Sequence, residues 1–480
     1  MVEVTTLDLV IIGLYLLFML LVGVWFVKRI KNTDDYYVAG RTLGPVVLAA
    51  TVCATIIGGS AMMGRAGIAY TTGFMAIATA LPYMLGMFIF SGYAGRIQQV
   101  GEKYHIESIP SLFEYRFGKP AKCVLAAMVA FAMVGTVAAQ VTATATIIKL
   151  LGGQVGISYE MGAFIATAIF IIYTAASGLF GVVYTDVVQF FMLIIFVYLM
   201  IPFSSLDYLG GFGSFWASLD KSYITPAIDG KILGDIVTYL VFTMAGAEMW
   251  QRAFAAKDKK SAKRGMFWGT AVYGVTIALL FLMGLAAQQI LPNVVEEFGT
   301  ADAVIPALAI KILPPGLTGL ALSGILSVMM STADSYLLSS ATNLTNDIYV
   351  KYIRKDATDK QKMLVLRGTI VVFSVIAVAL TLYFPTVLSL QMTAYTMYGA
   401  AITPAILFAL FSKKVTPAAG IAGILVGGLA TIVWTLMGTP YGIQCAIVAV
   451  PASVIAILVV SAVTPKGEAA RSLDALYQEK

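Results

Sequence analysis

The chain has 480 residues, of which 59% are hydrophobic and 12% are charged, and its mean hydropathy is +0.88. Soluble proteins carry about 25% charged residues, so this composition indicates a polytopic membrane protein whose surroundings are the lipid bilayer. The net charge of +6 is spread between apolar segments and reports membrane topology, which argues against a nucleic-acid partner. Three scattered cysteines and one histidine argue against a disulfide framework or a metal cluster.

Apolar segments of about 20 residues, long enough to cross a bilayer as helices, follow one another along the chain. The first has no Lys or Arg before Lys28 and is too long for a signal peptide, so it is predicted to be a retained span. The sequence predicts about 13 spans, near 5-27, 44-72, 74-95, 121-150, 158-177, 183-203, 231-252, 265-290, 303-346, 367-384, 388-411, 417-437 and 441-463.

Most of the 31 basic residues fall in loops on one side of the membrane if the amino terminus lies outside. The positive-inside rule then predicts a cytoplasmic carboxyl terminus and a multi-pass protein of the cytoplasmic (inner) or plasma membrane. No linker or low-complexity run separates the spans, so residues 1-480 are predicted to form one transmembrane domain without an obligatory protein partner.

Glycine-rich interruptions occur in two of the predicted spans, five spans apart. The second span contains ATIIGGSAMMG and the seventh contains FTMAGAEMW. Transporters break helices at such places, where freed carbonyls coordinate a cation and half-helix ends face a substrate. The alternative is that these glycines only allow close helix packing.

Ionisable residues within membrane spans are costly and mark candidate functional sites. Those that lie within or near predicted spans are Arg65, Asp186, Glu248 and Asp334.

Hydroxyl groups form a column in the ninth span, where Ser327, Ser331 and Ser335 share one helical face with Asp334 beside them. Sodium takes oxygen ligands, so Ser331 and the adjacent Thr332, with carbonyls freed near Ala54 and Ile57, are a predicted sodium shell. The alternative for each hydroxyl is a hydrogen bond to the preceding turn of its own helix, which does not account for the carboxylate.

Four segments together carry a resemblance to a known family: DYYVAGRTLGP at 36-45, IPSLFEYRFGKP at 109-120, LFGVVYTDVVQFF at 179-191 and MSTADSYLLSSATNLTNDIY at 330-349. They resemble the sodium:solute symporter family over about residues 5 to 465. YTDVVQ, ATIIGGS and STADS are most similar to its high-affinity choline transporter branch, and the MST triplet also resembles the proline and pantothenate permeases.

The resemblance implies an all-α membrane protein with a LeuT-like inverted five-helix repeat that imports a small organic solute with sodium as the coupling ion. The implied divisions are an extra first helix (5-27), a first repeat (44-203), a second repeat (231-411), two C-terminal helices (417-463) and a cytoplasmic tail (464-480). The implied first sodium site consists of the backbone oxygens of Ala54, Ile57 and Val328 and the hydroxyls of Ser331 and Thr332.

The resemblance also implies a second sodium site, which maps onto Asp186, Ser331, Asp334 and Ser335. For Asp186 two alternatives stand beside it: a carboxylate that stabilises a helix amino end, or a carboxylate that shares a proton with Asp334. The chain departs from the proline permeases at Ile56, where those proteins have an aspartate.

The solute is the least determined part of the prediction. The choline branch places tryptophans where this chain has Ile56, Gly135 and Gly246, so its aromatic cage is missing and choline is not expected. The polar residues near the expected pocket are Arg65, Gln140, Thr142 and Glu248. Arg65 suits a carboxylate or an amino-acid-like zwitterion. The alternatives are that Arg65 is an outer gate residue and that Glu248 only pairs with Arg252 one turn on.

Other classes of function fit the sequence poorly, although a sugar, a vitamin or an amine remains an alternative solute. No HExxH motif and no glycine-rich phosphate loop before a lysine are present, and the nearest approach to an intramembrane protease motif, KILGD at 231-235, lacks its first glycine. A channel needs a continuous polar lining, and the tail after Pro465 is too short for a sensor module. The chain is therefore predicted not to be an enzyme.

Overall fold

The structure is a computed structural model that describes residues 4–27, 38–152, 157–225, 230–383, 387–412 and 414–465. These residues are almost entirely helical, and no β-strand occurs among them. The helices are α1 (Thr6–Val27), α2 (Pro45–Ile56), α3 (Arg65–Thr72), α4 (Met75–Tyr104), α5 (Ile109–Phe117), α6 (Lys119–Gly152), α7 (Tyr159–Met192), α8 (Met200–Tyr208), α9 (Phe212–Ala217), α10 (Gly230–Ala245), α11 (Ala247–Ala255), α12 (Lys259–Ile290), α13 (Val294–Phe298), α14 (Val304–Ile312), α15 (Leu317–Leu344), α16 (Asp359–Tyr383), α17 (Val387–Phe411), α18 (Pro417–Leu436) and α19 (Cys445–Val463).

Membrane-spanning helices make up most of the described chain. Nine of its helices are long and apolar enough to cross a bilayer, and a tenth span results if the bent pair Pro45–Ile56 and Ala61–Thr72 counts as one. The predicted first and fifth spans contain shorter apolar helices, Thr6–Val22 and Tyr159–Ile169. The all-helical membrane fold is confirmed, whereas the number 13 stays a prediction.

The most buried helices lie at the centre of the bundle. In the most apolar parts of α15 and α6, 89% and 82% of the residues are buried, against 22% for α19. Helix α15 packs against α1, α6, α7 and α16. Because α15 has almost no surface left for lipid, its serine and threonine hydroxyls are held inside the protein, where polar groups need partners.

The predicted ninth span, 303-346, is wrong as a single helix. The chain forms α14 and α15 instead, and they are separated where Gly316 adopts a left-handed φ of 88°. The buried Asp8 on α1 accepts hydrogen bonds from the N–H groups of Gly316 (2.7 Å) and Gly319 (2.8 Å), so it caps the amino end of α15.

The predicted fifth and sixth spans meet at a kink with a non-helical residue. Helix α7 bends inside its length at Gly178, whose φ is 57° and ψ is −175°, and it continues through a π-helical segment, Leu193–Leu199, into α8. The bend lies between the predicted ends at 177 and 183, where the sequence predicts an interruption between two spans.

Both glycine-rich interruptions are breaks in the structure. Helix α2 ends at Ile56, and the chain passes through a π-helical turn, Ser60–Gly64, before α3 begins at a 63° angle to α2. Helices α10 and α11 are separated by Gly246, whose ψ of 109° is not helical. Each break exposes backbone groups that a continuous helix would bond internally.

One end of the bundle is tied together by a buried ionic cluster. Lys122 on α6 lies 2.7 Å from Asp347 and 3.0 Å from Glu114. Asp347 also accepts hydrogen bonds from Ser108 (2.7 Å) and Ser111 (2.8 Å) beside and on α5. The cluster links α5, α6 and the π-helical segment Thr345–Ile353 that follows α15.

Candidate functional site

Hydroxyls of α15 point at carbonyl oxygens at the broken end of α2. Ser331 Oγ donates to the carbonyl of Ala54 at 3.0 Å, and Thr332 Oγ1 lies 3.3 Å from the carbonyl of Thr55 and 3.5 Å from that of Ile57. All of these residues are buried. Five oxygen atoms from two helices therefore converge in a dry interior, which is the kind of ligand set that a hard monovalent cation takes.

The other serines of the column bond within their own helix. Ser327 donates to the carbonyl of Gly324 at 2.6 Å, and Ser335 donates to that of Ser331 at 2.8 Å. The alternative of back-bonding to the preceding turn therefore holds for Ser327 and Ser335, whereas Ser331 reaches across to α2. Val328, whose carbonyl was predicted as a ligand, is buried one helical turn before Thr332.

Two glycines and one glutamine shape the break. A Cβ atom on Gly58 would lie 3.0 Å from the Thr332 side chain, and one on Gly59 would lie 2.7 Å from the Cβ of Ala143. The N–H of Gly59 donates to Gln140 Oε1 at 2.6 Å. Gln140, predicted to contact solute, thus supports the chain that leaves α2, and glycine is required here because α6 and α15 approach so closely.

Asp186, predicted to be a sodium ligand, is paired with an arginine. Its Oδ2 lies 3.0 Å from the Arg252 guanidinium and accepts a 2.5 Å hydrogen bond from Thr51. Arg252 also donates to Thr51 (3.0 Å) and to Ser335 (2.7 Å). Because Arg252 contacts Ser335, the ionic cluster adjoins the hydroxyl column.

This pairing changes two of the predicted alternatives. Asp186 lies more than one helical turn beyond the bend at Gly178, and its partners are side chains of α2 and α11, so it does not cap that half-helix. Arg252 bonds the backbone carbonyl of Glu248 at 3.2 Å and forms its ion pair with Asp186, so no ion pair supports the alternative in which Glu248 only pairs with Arg252. Arg252 thus bonds Asp186 on α7, Thr51 on α2 and Ser335 on α15, and its hydrogen bond to the carboxylate is charge-assisted.

Asp334 turns away from the Arg252 pair. Its Oδ1 accepts a 2.5 Å hydrogen bond from Thr174 on α7, and its Oδ2 has no hydrogen-bond partner. The Oδ1 atom of Asp186 is likewise without a hydrogen-bond partner, and both residues are fully buried. Two buried carboxylate oxygens, one on α7 and one on α15, are thus left without a hydrogen-bond partner.

Arg65, at the start of α3, lies in a box of tyrosine side chains. Its guanidinium carbon is 4.8 Å from the ring centre of Tyr239, 5.5 Å from that of Tyr83 and 5.9 Å from that of Tyr273, whose hydroxyl it also contacts. The Nε of Arg65 has no hydrogen-bond partner, and no ion pair forms between Arg65 and a described carboxylate. Cation–π attraction stabilises the charge in this position.

Glu248 follows directly after the second break. Its Oε1 accepts a hydrogen bond from Tyr336 at 3.2 Å, while its Oε2 has no partner and the residue is 1% exposed. A Cβ atom on Gly246 would lie 2.5 Å from this carboxylate, so glycine at the break makes room for it.

The remaining predicted solute contacts do not gather at one point. Thr142 bonds the carbonyl of Ala138 (3.0 Å) and faces Thr381 on α16 (3.4 Å). A Cβ on Gly135 would meet Ala394 at 2.9 Å, so this position is closed by α17. Ile56 is buried at the end of α2.

Aromatic residues between the two breaks were missed by sequence reasoning. The rings of Phe242 and Tyr395 stack at 3.6 Å, and Tyr395 stacks on Tyr83 at 6.5 Å. Tyr398 accepts a hydrogen bond from the N–H of Ala247, the first residue of α11. These rings come from α4, α10 and α17, so the only signal in the sequence is the spacing Tyr395 to Tyr398, which places both on one helical face.

Comparison with known proteins decides the family. The family model for the sodium:solute symporter family matches residues 36–427. The chain belongs to the sodium:solute symporter family. The osmoregulated proline transporter OpuE of Bacillus subtilis (strain 168) is 28% identical to this symporter over 442 residues, which cover 89% of this chain and 88% of that one. The sodium/proline symporter of Escherichia coli (strain K12) is 28% identical over 446 residues, covering 90% and 88%.

Among solved structures, the symporter resembles a Na+-coupled sialic acid symporter in a substrate-bound outward-open state. The TM-score is 0.78 at 20% sequence identity, and the match covers 96% of this chain and 99% of that one. The similarity confirms the predicted LeuT-like fold. The protein is a multi-pass transporter of the plasma membrane that uses sodium as its coupling ion, and it is not an enzyme.

Proposed function

We propose that the symporter binds its coupling sodium ion where α2 breaks, at the site predicted from the sequence. The main support for this proposal is that Ser331 and Thr332 on α15 direct their hydroxyls at the carbonyls of Ala54 and Ile57. Both hydroxyls donate to carbonyls there, and a sodium ion between them would be ligated by both kinds of oxygen. Such a shell carries little formal charge, which favours an ion of single charge.

The proposed solute is a small organic carboxylate or an amino-acid-like zwitterion. Arg65 supports this choice because a buried guanidinium without a carboxylate partner among the described residues binds a carboxylate through two parallel hydrogen bonds. The relatives named above transport proline, which is a zwitterion. The competing role for Arg65 is that of a gate residue closing over a sugar, a vitamin or an amine.

A second sodium ion is proposed only at the oxygens that Arg252 leaves open. Arg252 occupies Oδ2 of Asp186 and the hydroxyl of Ser335, so the remaining ligands are Oδ1 of Asp186 and Oδ2 of Asp334. Asp334→Asn should lower the Hill slope of sodium-dependent uptake if this ion binds. A slope near one in both the parent and the variant would leave the symporter with a single sodium site.

Uptake into proteoliposomes tests the proposed function. The purified protein is reconstituted, and accumulation of radiolabelled L-proline, pantothenate, sialic acid and glucose is measured with an inward sodium gradient and with potassium in its place. We expect sodium-dependent accumulation of a carboxylate that Arg65→Ala reduces. Full carboxylate uptake by Arg65→Ala, or accumulation of the sugar alone, would contradict the role given to Arg65.

The proposal also includes the orientation of the chain in the membrane. The distribution of basic residues supports an amino terminus outside and a cytoplasmic carboxyl terminus, with repeats at 44–203 and 231–411. Labelling of single cysteines placed in the loops near residues 260 and 295 with a membrane-impermeant reagent tests it, since the orientation predicts that only the second loop reacts from outside.

A further inference from the structure

The Glu248 carboxylate lies buried without a basic partner. No ion pair within 4.0 Å joins it to a described lysine or arginine, and Arg252, the nearest cation on its own helix, is held by Asp186, Thr51 and Ser335. An isolated buried carboxylate is among the costliest groups in a protein interior, and it normally has a cation or a proton beside it.

A hydroxyl and a helix end face the Glu248 carboxylate. Its Oε1 accepts a hydrogen bond from Tyr336 at 3.2 Å, and the residue lies in the first turn of α11. Helix amino ends stabilise negative charge, and the glycine before the helix leaves space for this contact. A carboxylate held in this way, with Oε2 open, is prepared to receive a cation.

Aromatic rings continue from Glu248 to Arg65. Tyr336 interacts with the hydroxyl of Tyr395, Tyr395 stacks on Tyr83 at 6.5 Å, and the ring of Tyr83 lies 5.5 Å from the guanidinium carbon of Arg65. The rings are buried, so a cation near them gains attraction from several π faces in a dry environment. A carboxylate and a guanidinium thus stand at the two ends of one tyrosine-rich wall.

We infer that Glu248 binds a cationic nitrogen of the solute, with the tyrosine wall contributing cation–π attraction. This inference rests on the proposed function, in which Arg65 meets the solute carboxylate, and it narrows the solute to compounds that carry a protonated or quaternary nitrogen. A neutral sugar or a nitrogen-free carboxylate leaves Glu248 buried without a counter-charge, and it is disfavoured for that reason.

Ligand pairs that differ only in the charged nitrogen test the inference. L-proline is compared with cyclopentanecarboxylate, glycine betaine with 3,3-dimethylbutanoate, and choline with 3,3-dimethylbutanol. Binding of each is measured by thermal shift of the purified full-length protein in sodium. For at least one pair we expect the nitrogen-containing member to bind roughly ten- to a hundredfold more tightly, the range for a desolvated charge-assisted contact.

The variant Glu248→Gln should reduce this preference to about one while retaining binding of the nitrogen-free member. Tyr336→Phe keeps the ring and removes the hydrogen bond to Glu248, so it should give an intermediate preference, and it serves if the first variant does not fold. Ser374→Ala is the matched control, because this buried hydroxyl on α16 bonds only its own helix and should leave the preference unaltered.

Several results would overturn the inference. It would be contradicted if both members of every pair bound equally, or if only the nitrogen-free members bound. It would also be contradicted if Glu248→Gln weakened the binding of both members equally. Stabilisation by sodium without stabilisation by any of the cationic members would also overturn it while leaving the sodium site intact. Equal stabilisation of the protein by sodium and by potassium would instead contradict the proposed function itself.

Discussion

Removal of one hydroxyl from the candidate sodium site gives the most direct test of its location. Ser331 and Thr332 are 0% and 2% exposed, and their hydroxyls are 3.0–3.5 Å from carbonyl oxygens of α2 and its break. Loss of a ligand at such a desolvated position costs about 1–3 kcal/mol, which is roughly ten- to a hundredfold in ion affinity. Ser331→Ala and Thr332→Ala should raise the sodium concentration for half-maximal effect by that factor.

The measurement is a sodium titration read in two ways. Thermal shift of the purified protein reports binding without any solute, because an ion that binds only the folded state stabilises it by mass action. Uptake into proteoliposomes reports coupling. Thr332→Ser keeps the hydroxyl and should stay near the parent value. Ser323→Ala removes an equally buried hydroxyl of α15 that bonds its own helix at Gly319, so it should not shift the sodium midpoint.

The two titrations separate ligation from folding. A variant that has only lost stability starts from a lower melting temperature but keeps the parent's sodium midpoint, and saturating sodium does not restore its uptake. A variant that has lost a ligand regains uptake at high sodium. Unaltered midpoints in both Ser331→Ala and Thr332→Ala would refute the assignment, because no other described hydroxyl of α15 is directed at the α2 carbonyls.

Three further changes test neighbouring features. Gly58→Ala places a Cβ 3.0 Å from the Thr332 side chain, so the sodium midpoint should rise, whereas Gly92→Ala on α4, where nothing lies within 4 Å, should not change it. Asp8→Ala removes the cap of α15 and should cost about 1 kcal/mol of stability, seen as a lower melting temperature that Asp8→Asn partly restores. Burial opposes ionisation of Glu114, but its two lysine partners outweigh burial and lower its pKa. The contribution of Glu114 to stability should therefore fade as the pH falls through that lowered pKa. Glu114→Gln should make the melting temperature depend less on pH on the acid side.

The breaks and the hydroxyl column could be predicted because both depend on local sequence. Glycine pairs in an apolar span interrupt a helix whatever surrounds them, and residues four apart share a face in any helix. The helix pattern also predicted a buried column on α15. The pattern does not contain the distance between two helices. That distance decides why Ser331 bonds to α2 while Ser327 and Ser335 bond to their own helix.

Contacts between distant helices account for what the sequence did not show. For Arg252 the sequence offers only Glu248, one turn away on the same helix, as an alternative partner, whereas its partner in the structure is Asp186 on a distant helix. The break between α14 and α15 had a local signal that was passed over, since ILPPGLTG combines two prolines with a glycine. The aromatic cluster had little local signal beyond the spacing of Tyr395 and Tyr398, because its rings come from helices far apart in the chain.

The position of the break in α2 supports a proposal for how sodium and solute are coupled. The carbonyls that face Ser331 and Thr332 end α2, and the chain then turns by 63° into α3, which begins at Arg65. We propose that an ion bound there fixes the first half of this broken helix against α15 and thereby also fixes where the second half holds its guanidinium. By linkage, if sodium raises the affinity for solute by some factor, solute raises the affinity for sodium by the same factor. A carrier built this way needs no direct contact between ion and solute, because the broken helix is shared by both sites.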